Sequence, residues 1–194
     1  MRKELIESYV TKLRASFGPV RTPIDEDALR AAFDARDYEQ MVSCISLALC
    51  LDMRLFLALV NKGGPDAPAW IEIPEKLPLF GTLAFRQTIV TVYLRKAFLA
   101  ESLFEEVVVA IAHEFSHVVL NATMHPLRFE EEAVDLTAML LGFRDFYVTG
   151  CRTNRVMPPS PADLITGNRS VDIRINGYLS FEEVGYAAEY MTFR

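Results

Sequence analysis

The chain has 194 residues, of which 51% are hydrophobic and 24% charged, which predicts one domain with a sizeable core and excludes a disordered chain. Acidic residues outnumber basic ones 26 to 20, a formal charge of -6, and that is the wrong sign for gripping a phosphate backbone, so nucleic acid is excluded as a partner. The longest uncharged run falls short of the roughly 20 apolar residues that cross a bilayer, and the opening residues Met1-Arg2-Lys3-Glu4 carry no secretory pattern, so the expectation is a soluble, cytoplasmic protein.

Three cysteines, Cys44, Cys50 and Cys151, are an odd number without C-x-x-C spacing and read as reduced thiols. Residues 25–51 follow a mostly helical pattern with a break at 34–37, and Leu29, Phe33, Met41, Ile45 and Leu49 share a buried stripe. Residues 54–61 are almost wholly apolar and predict a buried strand, closed by the turn chemistry of Lys62-Gly63-Gly64-Pro65-Asp66. A second strand runs over 69–73 up to Pro74. A third covers 87–94, where Ile89, Val90, Thr91, Val92 and Tyr93 are all good strand formers.

Ser102-Leu103-Phe104-Glu105 has the form of a capping box and opens a helix through residue 120 that is apolar on almost every side. A further helix over 128–141 is closed by Gly142. Residues 151–176, with Pro158, Pro159 and Pro161, form a long connection; Ser180-Phe181-Glu182-Glu183 is a second capping box, opening a helix to about residue 191. The division expected is a core over 25–142 and a C-terminal loop and helix over 143–194, all within one domain.

One motif carries chemistry. His113-Glu114-Phe115-Ser116-His117 is H-E-x-x-H inside a helix, and residues four apart stand on one helical face, so both imidazoles can aim at a single metal ion. Glu114, beside them, is placed to take a proton from an activated water and deliver it to a leaving group. Imidazole and carboxylate ligands with an open position suit Zn²⁺. Burying two histidines and a glutamate on an apolar helix without a common partner would be costly, which weighs against a purely structural role. The third ligand is sought downstream, where Glu131 and Asp135 of Glu130-Glu131-Glu132-Ala133-Val134-Asp135 share a helical face: Glu131 would bind the metal and Asp135 would accept the second ring N–H of a ligand histidine. The same acidic run also fits a solvated helix start favoured by the macrodipole. His125 is a ligand by type only.

The order of helix, three strands, H-E-x-x-H helix and Glu-x-x-x-Asp helix resembles the gluzincin metallopeptidases, in particular their minimal core, the minigluzincins. Glu131-Glu132-Ala133-Val134-Asp135-Leu136-Thr137-Ala138 is similar to the E-x-x-A-D-x-x-A motif of the CAAX prenyl-protease type, with Val134 where that pattern has Ala and without that group's membrane helices. The resemblance implies an α+β, zincin-like fold and a Zn²⁺-dependent hydrolase acting on a peptide or protein substrate. It implies His113, His117 and Glu131 as metal ligands, Glu114 as general base and Asp135 behind the ligands. It also implies that the strand over 87–94 is the sheet's edge, lining the cleft, where the residues alone fit an ordinary core strand equally well, and that a Tyr or His steadies the oxyanion, for which His125, Tyr147, Tyr178 and Tyr186 qualify by type. Arg152, Arg155 and Arg169 of the long connection could bind a substrate carboxylate. A second reading, a metal-stabilised regulatory or protein-binding domain with little turnover, needs the ligands but not Glu114. A helical protein without metal would tolerate loss of both histidines.

Overall fold

A computed structural model describes residues 1–62, 64, 67–156, 171–175 and 177–193. The fold is mixed α+β, with helices dominating and a small mixed sheet. Helix α1 (Lys3–Phe17) buries Ile6, Val10 and Leu13 along one stripe and ends at Gly18, whose φ of 86° only glycine adopts freely. Its apolar positions recur at helical spacing, yet sequence reading assigned no element there because charged residues separate them.

The expected helix with a break is realised as α2 (Glu26–Asp34) and α3 (Tyr38–Ala48), capped by the carboxylates of Asp25 and Asp37. Leu29, Met41, Ile45 and Leu49 are buried, and Phe33 packs half-buried against them. Strands β1 (Arg54–Val60), β2 (Ala69–Glu72) and β3 (Ile89–Arg95) form one sheet in the order β1-β3-β2. β1 runs parallel to β3, with Arg54 opposite Ile89, and β2 runs antiparallel, with Ile71 opposite Val92. Two sequence expectations are corrected here. β3 is the central strand, burying Val90, Val92 and Leu94, so it cannot be the cleft edge; β2 and β1 are the edges. β1 is also only partly buried: Leu55 and Leu57 pack against the core, Phe56 on the opposite face is 57% exposed and Leu59 is exposed as well, and among the described residues no strand pairs with its outer side. A continuous apolar run therefore marks an edge here rather than a two-sided core strand.

Short helices α4 (Leu83–Gln87) and α5 (Lys96–Glu101) flank β3. α6 (Phe104–Ala122) starts two residues after Ser102, which instead closes α5 through its N–H to the Phe98 carbonyl. Only half of a box forms, one residue later than the sequence pattern indicates: the Leu103 N–H donates to the Glu106 carboxylate at 2.6 Å, and the leucine side chain has nothing to return. α7 (Glu131–Ala138) starts later than expected, because residues 125–130 are spent on successive tight turns. It runs into a π-helical turn (Met139–Phe143) in which Gly142, at φ 115°, breaks the helix where the sequence placed its end. α8 (Arg144–Gly150) follows at once and was not anticipated.

Within the connection expected over 151–176, β4 (Arg152–Val156) and β5 (Val171–Ile175) pair antiparallel; the prolines Pro158, Pro159 and Pro161, and Arg169, lie outside the described residues. α9 (Phe181–Phe193) opens with the expected reciprocal box, Glu183 N–H to Ser180 Oγ and Ser180 N–H to the Glu183 carboxylate. α9 packs on α1 and α8 and adds Val184, Ala187 and Met191 to the core. No helix among the described residues is long and apolar enough to cross a membrane.

Candidate metal centre

α6 is buried along nearly its whole length because valines, alanines and isoleucine cover the faces that His113 and His117 leave free. The two imidazoles stand one turn apart with ring centroids 4.9 Å from each other. α7 crosses α6 and brings its first helical residue, Glu131, over that turn, where a carboxylate also meets the positive end of the helix dipole. Glu131 Oε2 lies 3.3 Å from His113 Nε2 and 3.3 Å from His117 Nε2. The candidate ligand atoms of the three residues all lie within 4.8 Å of one another.

The fit of the donor set to a cation rests on Glu131 itself. Its Oε2 is buried, and although two ring nitrogens are near, neither gives it a hydrogen bond of acceptable geometry. A buried carboxylate oxygen with no hydrogen bond is costly, and three donors converging on one point satisfy each other through a shared cation. Two imidazole nitrogens and one carboxylate oxygen match a three-ligand zinc site with a position left open.

Asp135, one turn further along α7, is fully buried and accepts from His113 Nδ1 at 2.8 Å. This bond engages Nδ1 and turns Nε2 toward Glu131, the ring orientation a metal ligand requires. The same Oδ1 accepts from the Tyr147 hydroxyl at 3.0 Å, and Oδ2 accepts from the backbone N–H groups of Tyr178 at 2.6 Å and Leu179 at 3.1 Å. Glu130 and Glu132, the neighbours of Glu131, are turned outward. Glu130 accepts from the Tyr9 hydroxyl at 3.2 Å, and Glu132 pairs with the Arg2 guanidinium.

Charge follows this geometry. Burial opposes protonation of His113, but Asp135 and Glu131 outweigh it and push its pKa up to about 10. Burial and the neighbouring His113 lower that of His117. His113, against the opposing effect of burial, holds Glu131 below its usual range. Burial raises Glu114 to about 7, against the opposing pull of His113 and, more weakly, of the Ile71 backbone on β2. A carboxyl poised near neutrality beside two imidazoles is suited to proton transfer in either direction.

The structure thus brings together His113, Glu114, His117, Glu131 and Asp135. Of the residues considered for the oxyanion, Tyr147 is buried with its hydroxyl on Asp135, and Tyr186 donates to Glu7. His125 stacks on Phe17 at 5.7 Å and accepts from the Leu127 N–H, apart from the cluster. Tyr178 is the one at the site, its ring stacked on His113 at 5.5 Å. Arg152 lies over the Phe181 ring; the Arg155 side chain and Arg169 lie outside the described residues. Sequence reasoning missed the Ile71 contact and the two N–H groups on Asp135 Oδ2. The only local signal was the turn residue Gly177 ahead of the second capping box. Comparison of the chain with protein-family models, curated proteins and solved structures returned no match.

Proposed function

We propose that the chain is a soluble, cytoplasmic, zinc-dependent peptidase with a zincin-like catalytic core. The observation that carries this reading is the buried, unsatisfied Glu131 oxygen held 3.3 Å from the Nε2 atoms of both histidines, with Glu114 next to them. His113, His117 and Glu131 would hold the ion, and Asp135 keeps His113 in the required orientation. Zn²⁺ bound there supplies Lewis acidity and makes a water acidic enough to react near neutral pH.

The protein's own groups do the rest. Glu114 accepts the proton of the attacking water and returns it to the departing amine, for which a pKa raised by burial fits. β2, as the edge on the Glu114 side, offers backbone groups for an extended peptide to add as a further strand. The substrate role that sequence reading gave to residues 87–94 passes to β2, because β3 has strands on both sides.

Elemental analysis of the purified chain, followed by a peptide-library cleavage assay, tests this. About one zinc per chain, with cleavage abolished in Glu114→Gln, supports it. Zinc with no cleavage of any library peptide favours a metal-stabilised binding domain instead, and a folded chain that takes up no zinc overturns both readings.

A further inference from the structure

Asp135 is joined to two parts of the molecule at once. One of its oxygens orients His113; the other receives two consecutive backbone N–H groups, from Tyr178 and Leu179, which lie 43 and 44 positions downstream. The approach is tight. Gly177 sits at φ 91°, and a Cβ there would stand 2.9 Å from Asp135 Oδ2, closer than real Cβ contacts come. Only glycine allows the chain to bend over the carboxylate and present both N–H groups to it. Leu179 is then buried, which anchors the turn from the other side, while Tyr178 is 58% exposed and lays its ring on His113, tilted by 21°.

These contacts are more than the packing of a passing loop. A ring resting on a ligand imidazole limits its rotation about the Cβ–Cγ bond, and a carboxylate fixed by four hydrogen bonds cannot swing with it. The geometry points to residues 177–179 as a wall of the metal centre, latched by Asp135, with Tyr178 as a positioning residue that holds His113 toward His117 and Glu131. This rests on the metal-centre reading above. It extends that reading to a segment with no ligand of its own. The affinity of the site for its ion is then set partly from the far end of the chain.

The test uses the full chain and zinc alone. Zinc affinity is measured by competition with a chelator for the native protein, Tyr178→Ala, Tyr178→Phe and Gly177→Ala, and amide hydrogen exchange is followed at Tyr178 and Leu179 without metal. Loss of a group that orients a ligand weakens metal binding by about 10- to 100-fold. Tyr178→Ala and Gly177→Ala should show such a loss, Tyr178→Phe should bind as the native protein does because the ring remains, and the metal-free unfolding midpoint of Tyr178→Ala should stay unchanged. The two amides should exchange slowly in the native chain and fast in Gly177→Ala. If Gly177→Ala fails to fold, Tyr178→Ala decides alone, since its side chain is mostly in solvent. Native zinc affinity in Tyr178→Ala overturns the wall while leaving the metal centre standing. A native chain that takes up no zinc removes the metal centre and this inference with it.

Discussion

The crossing of α6 and α7 and the two flanking arms, α1 and residues 177–183, contribute to the site in opposite ways. The crossing supplies every candidate ligand atom and brings Glu131 over the two imidazoles. The arms supply no ligand but occupy its neighbours: Tyr9 takes Glu130, Arg2 takes Glu132 and joins it to Glu183, and the N–H groups of Tyr178 and Leu179 take the far side of Asp135. Glu130 and Glu132, the neighbours of Glu131, are thus each held by a partner outside α7, as is Asp135. The identity of a ligand is local information, whereas its surroundings are held by contacts 43 to 130 positions away in the chain.

That division can be broken at either end. The largest effect is expected inside the crossing: Glu114→Gln should keep its zinc and lose at least ~100-fold in peptide hydrolysis, the usual weight of a general base, read by comparing turnover with metal content. If the proposed site holds zinc, His113→Ala and Glu131→Gln should each lower it from about one per chain to a small fraction, because each removes one of the three candidate ligands. Asp135→Ala touches both regions. It strands the Tyr147 hydroxyl and two backbone N–H groups in a buried place, at a cost of ~3 kcal/mol, seen as a fall in Tm of about 6–12 °C.

The smallest effect belongs to the outermost contact. Arg2 holds the Glu183 carboxyl down to about 2, against an ordinary glutamate near ~4.3. A carboxyl depressed in the folded state stabilises it in full above the ordinary value and loses that contribution as pH falls from there through about 2. Arg2 is half exposed, so solvent screening keeps the contribution to ~0.5 kcal/mol. Glu183→Gln should unfold slightly more easily than the native chain at pH 6, and the gap should close by about pH 2 in denaturant titrations. An undiminished gap at pH 2 would show that the residue acts through packing instead.

How much of this was legible follows the same line. The H-E-x-x-H pair, Glu131 and Asp135 could be read from helical spacing, because residues four apart on one helix must meet. The second capping box was legible for the same reason, as its donors and acceptors lie three residues apart. Strand order was not. Ile89 to Leu94 has the composition of either an edge or a centre, and the choice depends on which strand pairs on its second side. α1 was missed because Glu7, Ser8, Thr11 and Lys12 interrupt Ile6, Val10 and Leu13, although the buried stripe needs only one residue in three or four. The hold of residues 178 and 179 on Asp135 uses backbone atoms that every residue has, and no side-chain pattern encodes it.

The open side of β1 has a consequence for how the protein behaves in a tube. Among the described residues no strand pairs with the outer side of β1, whose seven residues carry one charge, Arg54, and expose Phe56 and Leu59. Natural sheets guard such borders with lysine, proline or a bulge, and this one relies on Arg54 at its start and Lys62 just past its end. Colloidal stability at high concentration therefore hinges on a strand remote in sequence from the H-E-x-x-H helix. Replacing Leu59 by lysine, at a position already in solvent, is the change that should raise the solubility limit and leave zinc content and the fold as they are.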